Sequence, residues 1–127
     1  MKGYTAGIHL LIKKKGRFLV LRRATGDEDD PGCWDLPGGG VHLGEQPDQA
    51  ARREAKEETG FTVEVVKYLN PSAIPYHGLW SIELYVEAKY ISGRLKLSHE
   101  HSESCWVTKS ELLRIRPRSY HLKTLRI

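Results

Sequence analysis

The sequence contains few of the residues that would place it in a specialised class of protein. Its two cysteines, Cys33 and Cys105, are too few for a disulfide framework and lack the spacing of a zinc-binding pair. No apolar run approaches the roughly 20 residues of a membrane-spanning helix, and no charged-then-apolar leader opens the chain. We therefore expect a reduced, cytoplasmic protein that does not engage a membrane.

Composition and charge are also far from either extreme. Hydrophobic residues make up 39% of the 127 residues and charged residues 28%, which is typical of globular proteins and excludes a disordered chain. The length predicts one domain, over residues 1–127, with a buried core. A net charge of +4 favours acidic partners such as nucleotides, nucleic acid or anionic lipid, without choosing among them.

The apolar pattern predicts short strands on both sides of one central helix. The helix is expected over Pro47–Thr59, because proline is tolerated in a first helical turn and Gly60 is a natural stop. Pro71 and Pro75 predict a loop rather than a strand. The predicted strands are residues 4–12, 17–21, 61–66, 81–88 and 105–107.

Two further helices are expected near the C-terminal end. Thr108 and Glu111 have the spacing of a capping box, which predicts a helix that ends before Pro117. Residues 119–127 are predicted to form a terminal helix.

Three carboxylates on the central helix suggest metal chemistry. Glu54, Glu57 and Glu58 are three and four positions apart, so they project from neighbouring parts of one helical face. Like charges at this spacing are mildly destabilising alone, and a bound Mg²⁺ or Mn²⁺ would reverse that effect. The alternative is a solvated, glutamate-rich surface, in which Arg53 and Glu57 form an ordinary helical ion pair.

The residues around these carboxylates are more specific. Gly39 is followed after five residues by Glu45 and, after seven more, by Arg53-Glu54-Ala55-Lys56-Glu57-Glu58-Thr59-Gly60-Phe61. This pattern resembles the Nudix signature at every fixed position, and Trp34-Asp35-Leu36-Pro37-Gly38 resembles its usual lead-in. The resemblance implies an α/β fold of the Nudix type, an α/β/α sandwich with a mixed sheet between helices.

The resemblance also implies roles for individual residues. Gly39 matches a ligand that binds metal through its backbone carbonyl, and Glu54 matches a further ligand that is the general base in some members. Glu57 and Glu58 match the main metal ligands. Arg53 and Glu45 match residues that orient the carboxylates, while Gly60 closes the motif.

A later loop is expected to supply one more carboxylate. Glu100, six residues before Trp106, has the expected spacing for an extra metal ligand or base. Glu103 is the competing candidate, and a solvated loop acid remains the alternative for both.

The expected function is Mg²⁺-dependent hydrolysis of the diphosphate linkage in a nucleotide-type substrate, with Mn²⁺ as a substitute ion. Among members of the family, a MutT-like nucleoside triphosphate pyrophosphohydrolase is the first choice. An ADP-ribose, nucleoside diphosphate sugar or dinucleoside polyphosphate hydrolase is the alternative, followed by a non-catalytic nucleotide-sensing module. No nucleic-acid partner is expected, and a homodimer is compatible with the resemblance because many relatives are dimers.

Recognition of the substrate is the least determined part of the sequence. Trp34, Tyr76 and Trp80 are aromatic candidates for stacking on a base, with packing in the core as the alternative. The six histidines show no metal-binding spacing, so they are interpreted as surface or loop residues.

Overall fold

The computed structural model describes residues 3–127, which form one mixed sheet with helices on both of its faces. Three helices are present among these residues: α1 (Pro47–Thr59), α2 (Lys109–Arg114) and α3 (Tyr120–Thr124). None of the helices in the described part of the chain combines the length and apolar character needed to cross a membrane. The strands are β1 (Tyr4–Lys14), β2 (Arg17–Arg23), β3 (Trp34–Asp35), β4 (Gly38–Gly40), β5 (Thr62–Tyr68), β6 (Ser72–Tyr76), β7 (Leu79–Ser92) and β8 (His101–Val107).

The sheet is built around strands β1 and β7, which lie side by side and run parallel, with Ile8 opposite Leu84. The strand order along the main path is β3-β2-β1-β7-β5, and β4, β6 and β8 pair with β1, β7 and β2 respectively. All of these other pairings are antiparallel. One parallel pair within an otherwise antiparallel sheet confirms the predicted mixed sheet.

Alternating side chains of β1 serve two separate cores. Ile8, Leu10 and Ile12 face α1, where the small side chains of Ala51 and Ala55 allow the helix to pack closely against the sheet. On the other face, Leu11 packs in a second core to which α2 and α3 contribute Leu112 and Leu122. The α/β/α sandwich is therefore confirmed.

Several predicted element boundaries need correction. The segment containing Pro71 and Pro75 was expected to be a loop, but residues Ser72–Tyr76 form strand β6. This strand pairs only with β7 and thus lies at an edge, where proline's missing N–H costs no ladder hydrogen bond. The terminal helix covers only Tyr120–Thr124, and its first turn is capped by Ser119, whose hydroxyl accepts a hydrogen bond from the Leu122 N–H.

Candidate active site

Helix α1 carries the motif carboxylates and is fixed at both ends. Pro47 occupies its first turn, and Gly60 ends it in the left-handed conformation at φ 79°. A Cβ at Gly60 would lie 2.6 Å from the Arg94 carbonyl oxygen, so glycine is required there for space as well as for conformation. The predicted helix and its stop are thus confirmed.

Arg53 holds the polar face of α1 against the preceding loop. Its guanidinium donates to Glu45 at 2.7 and 2.9 Å, to Glu54 at 2.7 Å and to Glu57 at 3.2 Å. It also donates to the Gly40 carbonyl at 2.8 Å. This forked group therefore orients two helical carboxylates and ties them to the loop after β4.

The glycines of β4 allow the helical carboxylates to approach the sheet. The Gly38 N–H donates to Glu58 at 2.8 Å. At Gly39, an added Cβ would lie 2.6 to 2.8 Å from the carboxylate atoms of Glu54. Any larger residue at that position would push this carboxylate away, so the close approach depends on glycine.

Burial of two of the three carboxylates disfavours their charge. Burial raises the pKa of Glu58 to about 9 against the lowering effect of the hydrogen bond from the Gly38 N–H, and repulsion from Glu54 and Glu100 raises it further. Burial also raises the pKa of Glu54 above its ordinary value, against the lowering effect of Arg53. Glu57 has a more exposed side chain, at 56%. A bound cation would reverse this effect, because it favours the ionised form of each carboxyl group.

Of the three helical carboxylates, Glu58 borders a cleft of about 360 Å³, whereas Glu54 and Glu57 do not line it. Glu58, Gly39 and Glu100 line it, while Glu103 lies elsewhere and forms an exposed ion pair with Arg22 at 3.4 Å. Of the two loop carboxylates considered from the sequence, the fold brings Glu100 to the motif carboxylates.

Sequence reasoning missed a second group of titratable residues in the same cleft. His9 of β1, Glu83 of β7 and His121 of α3 meet there, with the Glu83 carboxylate 3.3 Å from His9 Nε2 and 3.0 Å from His121 Nε2. The two imidazole rings stack with their centroids 4.0 Å apart. We call these three residues the His9–Glu83–His121 cluster.

This cluster corrects the interpretation of the histidines as surface or loop residues. His9 is 4% exposed, His101 is 9% exposed, and the side chain of His121 is 18% exposed. Separations of 74 and 38 residues between the bonded partners explain why no local spacing pointed to them. The only available signal was a histidine within the otherwise apolar run of β1.

Asp35 lies next to the His9–Glu83–His121 cluster, on the Nδ1 side of the His121 ring. It accepts hydrogen bonds from Arg23 Nη1 and Ser119 Oγ, both at 2.8 Å, and lies 3.6 Å from His121 Nδ1. Although burial lowers the pKa of His121, contacts with Asp35 and Glu83 outweigh this effect and raise it to about 9. Burial likewise works against ionised Glu83, but hydrogen bonds with His121 and His9 hold its pKa at about 2.

The three aromatic candidates lie in different places: Tyr76 at the cleft, Trp34 at the second core and Trp80 on the exposed surface. Tyr76 lines the cleft and donates a hydrogen bond to Asp29 at 3.1 Å. Trp34 is half-buried and packs against the second core, and it is absent from the cleft lining, as is Trp80. Only Tyr76 therefore occupies the place that its predicted role requires.

The fold and this arrangement define a class of protein: an α/β/α sandwich in which a glycine-rich strand meets a helix with clustered carboxylates at a cleft. The family model described as "NUDIX domain" matches residues 1–125. The chain therefore belongs to the Nudix hydrolase family, as its sequence motif predicted.

Individual relatives agree with this assignment. The chain is 33% identical over 103 residues to a MutT-like protein of Streptomyces ambofaciens, covering 81% of this chain and 62% of that protein. It is 27% identical over 128 residues to a nucleoside triphosphatase of Escherichia coli O139:H28, covering 92% and 91%. A crystal structure of a MutT protein from Methanosarcina mazei Go1 superposes with a TM-score of 0.84 at 31% identity, covering 96% of this chain and 89% of that one.

Proposed function

We propose that this protein is a Mg²⁺-dependent hydrolase that cleaves the diphosphate linkage of a nucleoside triphosphate. One observation carries the proposal: Glu54 and Glu58 are buried against the glycines of β4, while Arg53 fixes Glu54 and Glu57 from the other side. This geometry concentrates carboxylate oxygens at the edge of a cleft that is large enough for a nucleotide-sized group.

The donor set fits a hard divalent cation. Carboxylate oxygens from Glu54, Glu57 and Glu58, together with the Gly39 carbonyl, are ligands of the type that Mg²⁺ and Mn²⁺ prefer. The raised pKa of Glu58 fits the same interpretation, because a cation would favour its ionised form. When bound, Mg²⁺ neutralises diphosphate charge and makes a coordinated water more acidic.

The protein's own residues would position this chemistry. Arg53 holds the carboxylates of Glu54 and Glu57, so that they need not reorganise when the substrate arrives. Glu54 and Glu100 are the two candidates for the base that accepts the proton of the attacking water. Glu54 is fixed by Arg53, whereas Glu100 lies on a loop that borders the cleft.

The remainder of the cleft would accept the nucleoside end of the substrate. Tyr76 supplies an aromatic surface there, and stacking on a base is worth about 1–3 kcal/mol in single-stranded nucleic-acid complexes. A triphosphate is preferred over an ADP-ribose-like substrate because the similar Escherichia coli protein is a nucleoside triphosphatase matched over 91% of its length.

The predicted single-domain organisation stays a prediction.

The test is hydrolysis of a panel of nucleoside triphosphates, oxidised nucleotides, ADP-ribose, sugar nucleotides and dinucleoside polyphosphates with Mg²⁺, with products separated by chromatography. We expect one class to turn over, and Glu57→Gln to lower that turnover at least about a hundredfold. The matched control is Glu64→Gln, which changes an exposed glutamate of β5 and should leave turnover unchanged.

Near-normal turnover in a folded Glu57→Gln protein would contradict the assignment of the metal ligands. Turnover of ADP-ribose alone would instead replace the triphosphate with a diphosphate sugar. Tight binding of one compound without hydrolysis of any would favour a nucleotide-sensing module.

A further inference from the structure

We propose that the His9–Glu83–His121 cluster is a second metal site, which binds a borderline transition-metal ion such as Zn²⁺ or Co²⁺ separately from the Mg²⁺ at the α1 carboxylates. This proposal does not depend on the hydrolytic function. It follows from a set of ligand atoms that α1 lacks, namely two imidazole nitrogens beside a carboxylate.

The first argument is the spacing of the ligand atoms. The three side chains each offer one atom within 4.8 Å of the other two. A tetrahedral zinc ion with bonds of about 2.0–2.1 Å has ligand atoms roughly 3.3–3.4 Å apart. Glu83 Oε2 lies 3.3 Å from His9 Nε2, and Glu83 Oε1 lies 3.0 Å from His121 Nε2, so each imidazole already approaches one oxygen of this carboxylate at about that separation.

The second argument is the support behind the ligands. Metal-bound histidines usually direct their other ring nitrogen at a carboxylate, which fixes the ring. Asp35 Oδ2 lies 3.6 Å from His121 Nδ1, and this nitrogen is buried with no hydrogen-bond partner among the described residues. Arg23 and Ser119 hold Asp35 in place, so a small rotation of the ring would complete the contact.

The third argument is access. All three side chains line the cleft, which lets an ion reach them from solvent and leaves space for a water molecule or a substrate atom as the fourth ligand. Gly7 provides part of this space, because a Cβ there would overlap the Glu83 carboxylate and lie 3.4 Å from His9 Nε2. The backbone of Gly7 is not in the left-handed region, so the space is the reason that glycine matters here.

The competing state of the cluster contains a proton instead of a metal. In that state His121 is an imidazolium ion between Glu83 and Asp35, and His9 is a neutral ring stacked on it. A bound metal would displace the proton from His121, because only a neutral imidazole can act as a ligand. The two states are distinguished by direct measurement of metal binding.

The experiment uses the whole protein, stripped with a chelator and then kept in excess Mg²⁺ to occupy the α1 carboxylates. Co²⁺ is titrated and followed by calorimetry and visible absorption. We expect one equivalent to bind, and His121→Gln and Asp35→Asn to weaken binding at least about tenfold, the lower end for loss of a supporting residue. His99→Gln, on an exposed loop residue, and Cys105→Ser should leave the affinity unchanged.

A second measurement keeps the test valid if the variants fail to fold. X-ray absorption by the Zn²⁺-loaded natural protein should show two imidazoles in the first coordination shell, with oxygen and no sulfur. The proposal is overturned if Co²⁺ does not bind in excess Mg²⁺, or if the shell contains sulfur or oxygen alone. An equal loss of affinity in His99→Gln and His121→Gln would overturn it as well.

Discussion

Two groups of ionisable residues meet at one cleft, yet they are assembled in opposite ways. The α1 carboxyl groups come from one helix and would repel one another when ionised; Arg53 contacts two of them, and burial raises the pKa of Glu58 to about 9. The His9–Glu83–His121 cluster comes from three distant elements and mixes charges, so that the pKa of Glu83 falls to about 2. Burial alone therefore does not decide the ionisation of a carboxyl, because the neighbouring charges decide its direction.

The two groups also differ in the metal ions that their ligand atoms suit. The α1 group offers only oxygen atoms, which suit a hard ion such as Mg²⁺. The second group offers nitrogen and is already satisfied when His121 is protonated. A metal at either group must therefore displace a proton, from Glu58 at α1 and from His121 at the second cluster.

The largest effect in this comparison should come from removing the fork of Arg53. Arg53→Lys keeps the positive charge but cannot bind Glu45, Glu54 and Glu57 together, so turnover should fall about tenfold to a hundredfold. Steady-state kinetics over a range of Mg²⁺ concentrations measures this change. Arg52→Lys, an exposed neighbour on the same helix, is the control, and equal losses in both variants would contradict the role of the fork.

The next effect concerns the stability of the metal-free protein. Because the pKa of Glu58 rises from 4.5 to about 9 on folding, its contribution favours folding only while it is protonated and is lost as pH rises from 4.5 through 9. In the presence of a chelator at pH 8, Glu58→Gln should therefore be more stable, by on the order of 2 kcal/mol. Urea unfolding at pH 5 and pH 8 measures it.

Addition of Mg²⁺ gives this prediction its control. Mg²⁺ should stabilise the natural protein at pH 8 and leave Glu58→Gln almost unchanged. If Glu58→Gln is the less stable protein at pH 8 without metal, the carboxyl is ionised there and the contrast between the two groups disappears.

A smaller effect on the free energy of unfolding is expected for His121 under the same metal-free conditions, and it should be largest at intermediate pH. Its pKa rises from 6.5 unfolded to about 9 folded, so its stabilising contribution is complete below pH 6.5 and is lost as pH rises through 9. The contribution of Glu83 is present above pH 4.5 and is lost as pH falls through about 2. The natural protein should therefore exceed His121→Gln in stability by on the order of 1 kcal/mol or more near pH 5.5–6.

This advantage should shrink toward both higher and lower pH in paired urea titrations. His42→Gln, which alters an exposed histidine of the loop before α1, is the matched control and should show a constant difference. A difference between the natural protein and His121→Gln that stays constant from pH 5 to pH 9 would show that His121 is not the ionising group.

The smallest effects concern the aromatic residues near the cleft. Tyr76→Ala should raise KM by about fivefold or more, which corresponds to the lower end of the value of base stacking, with kcat changed less. Trp34→Phe should leave KM within about twofold, because Trp34 packs in the core, and should instead lower the melting temperature. A large change in KM for Trp34→Phe with an unchanged melting temperature would restore the original assignment of Trp34 to substrate binding.

The success of the sequence predictions followed the distance between interacting residues along the chain. Helix α1 and its carboxylates could be predicted because Arg53 meets Glu54 and Glu57 within one helical turn. The sandwich followed from the family resemblance of the same segment. These features depend on local spacing, which a sequence displays directly.

Features that depend on distant pairing could not be predicted in this way. Strand β6 was missed because Pro71 before it and Pro75 within it favour a loop, and pairing with β7 overrides that preference. The His9–Glu83–His121 cluster was missed because its members meet only when β1, β7 and α3 come together.

Glu100 was selected over Glu103 from its spacing to Trp106, and the fold places Glu100 at the cleft.

The parallel pairing of β1 with β7 has a consequence for how the chain folds. One edge of β1, from Tyr4 to Lys13, is covered only by β7, which begins at Leu79. Closing that long loop costs entropy before its contacts form, and such non-local pairing slows folding. A nascent chain that ends before β7 would therefore expose an apolar strand edge, and the α1 carboxylates would acquire their rigid support only after most of the protein has been synthesised.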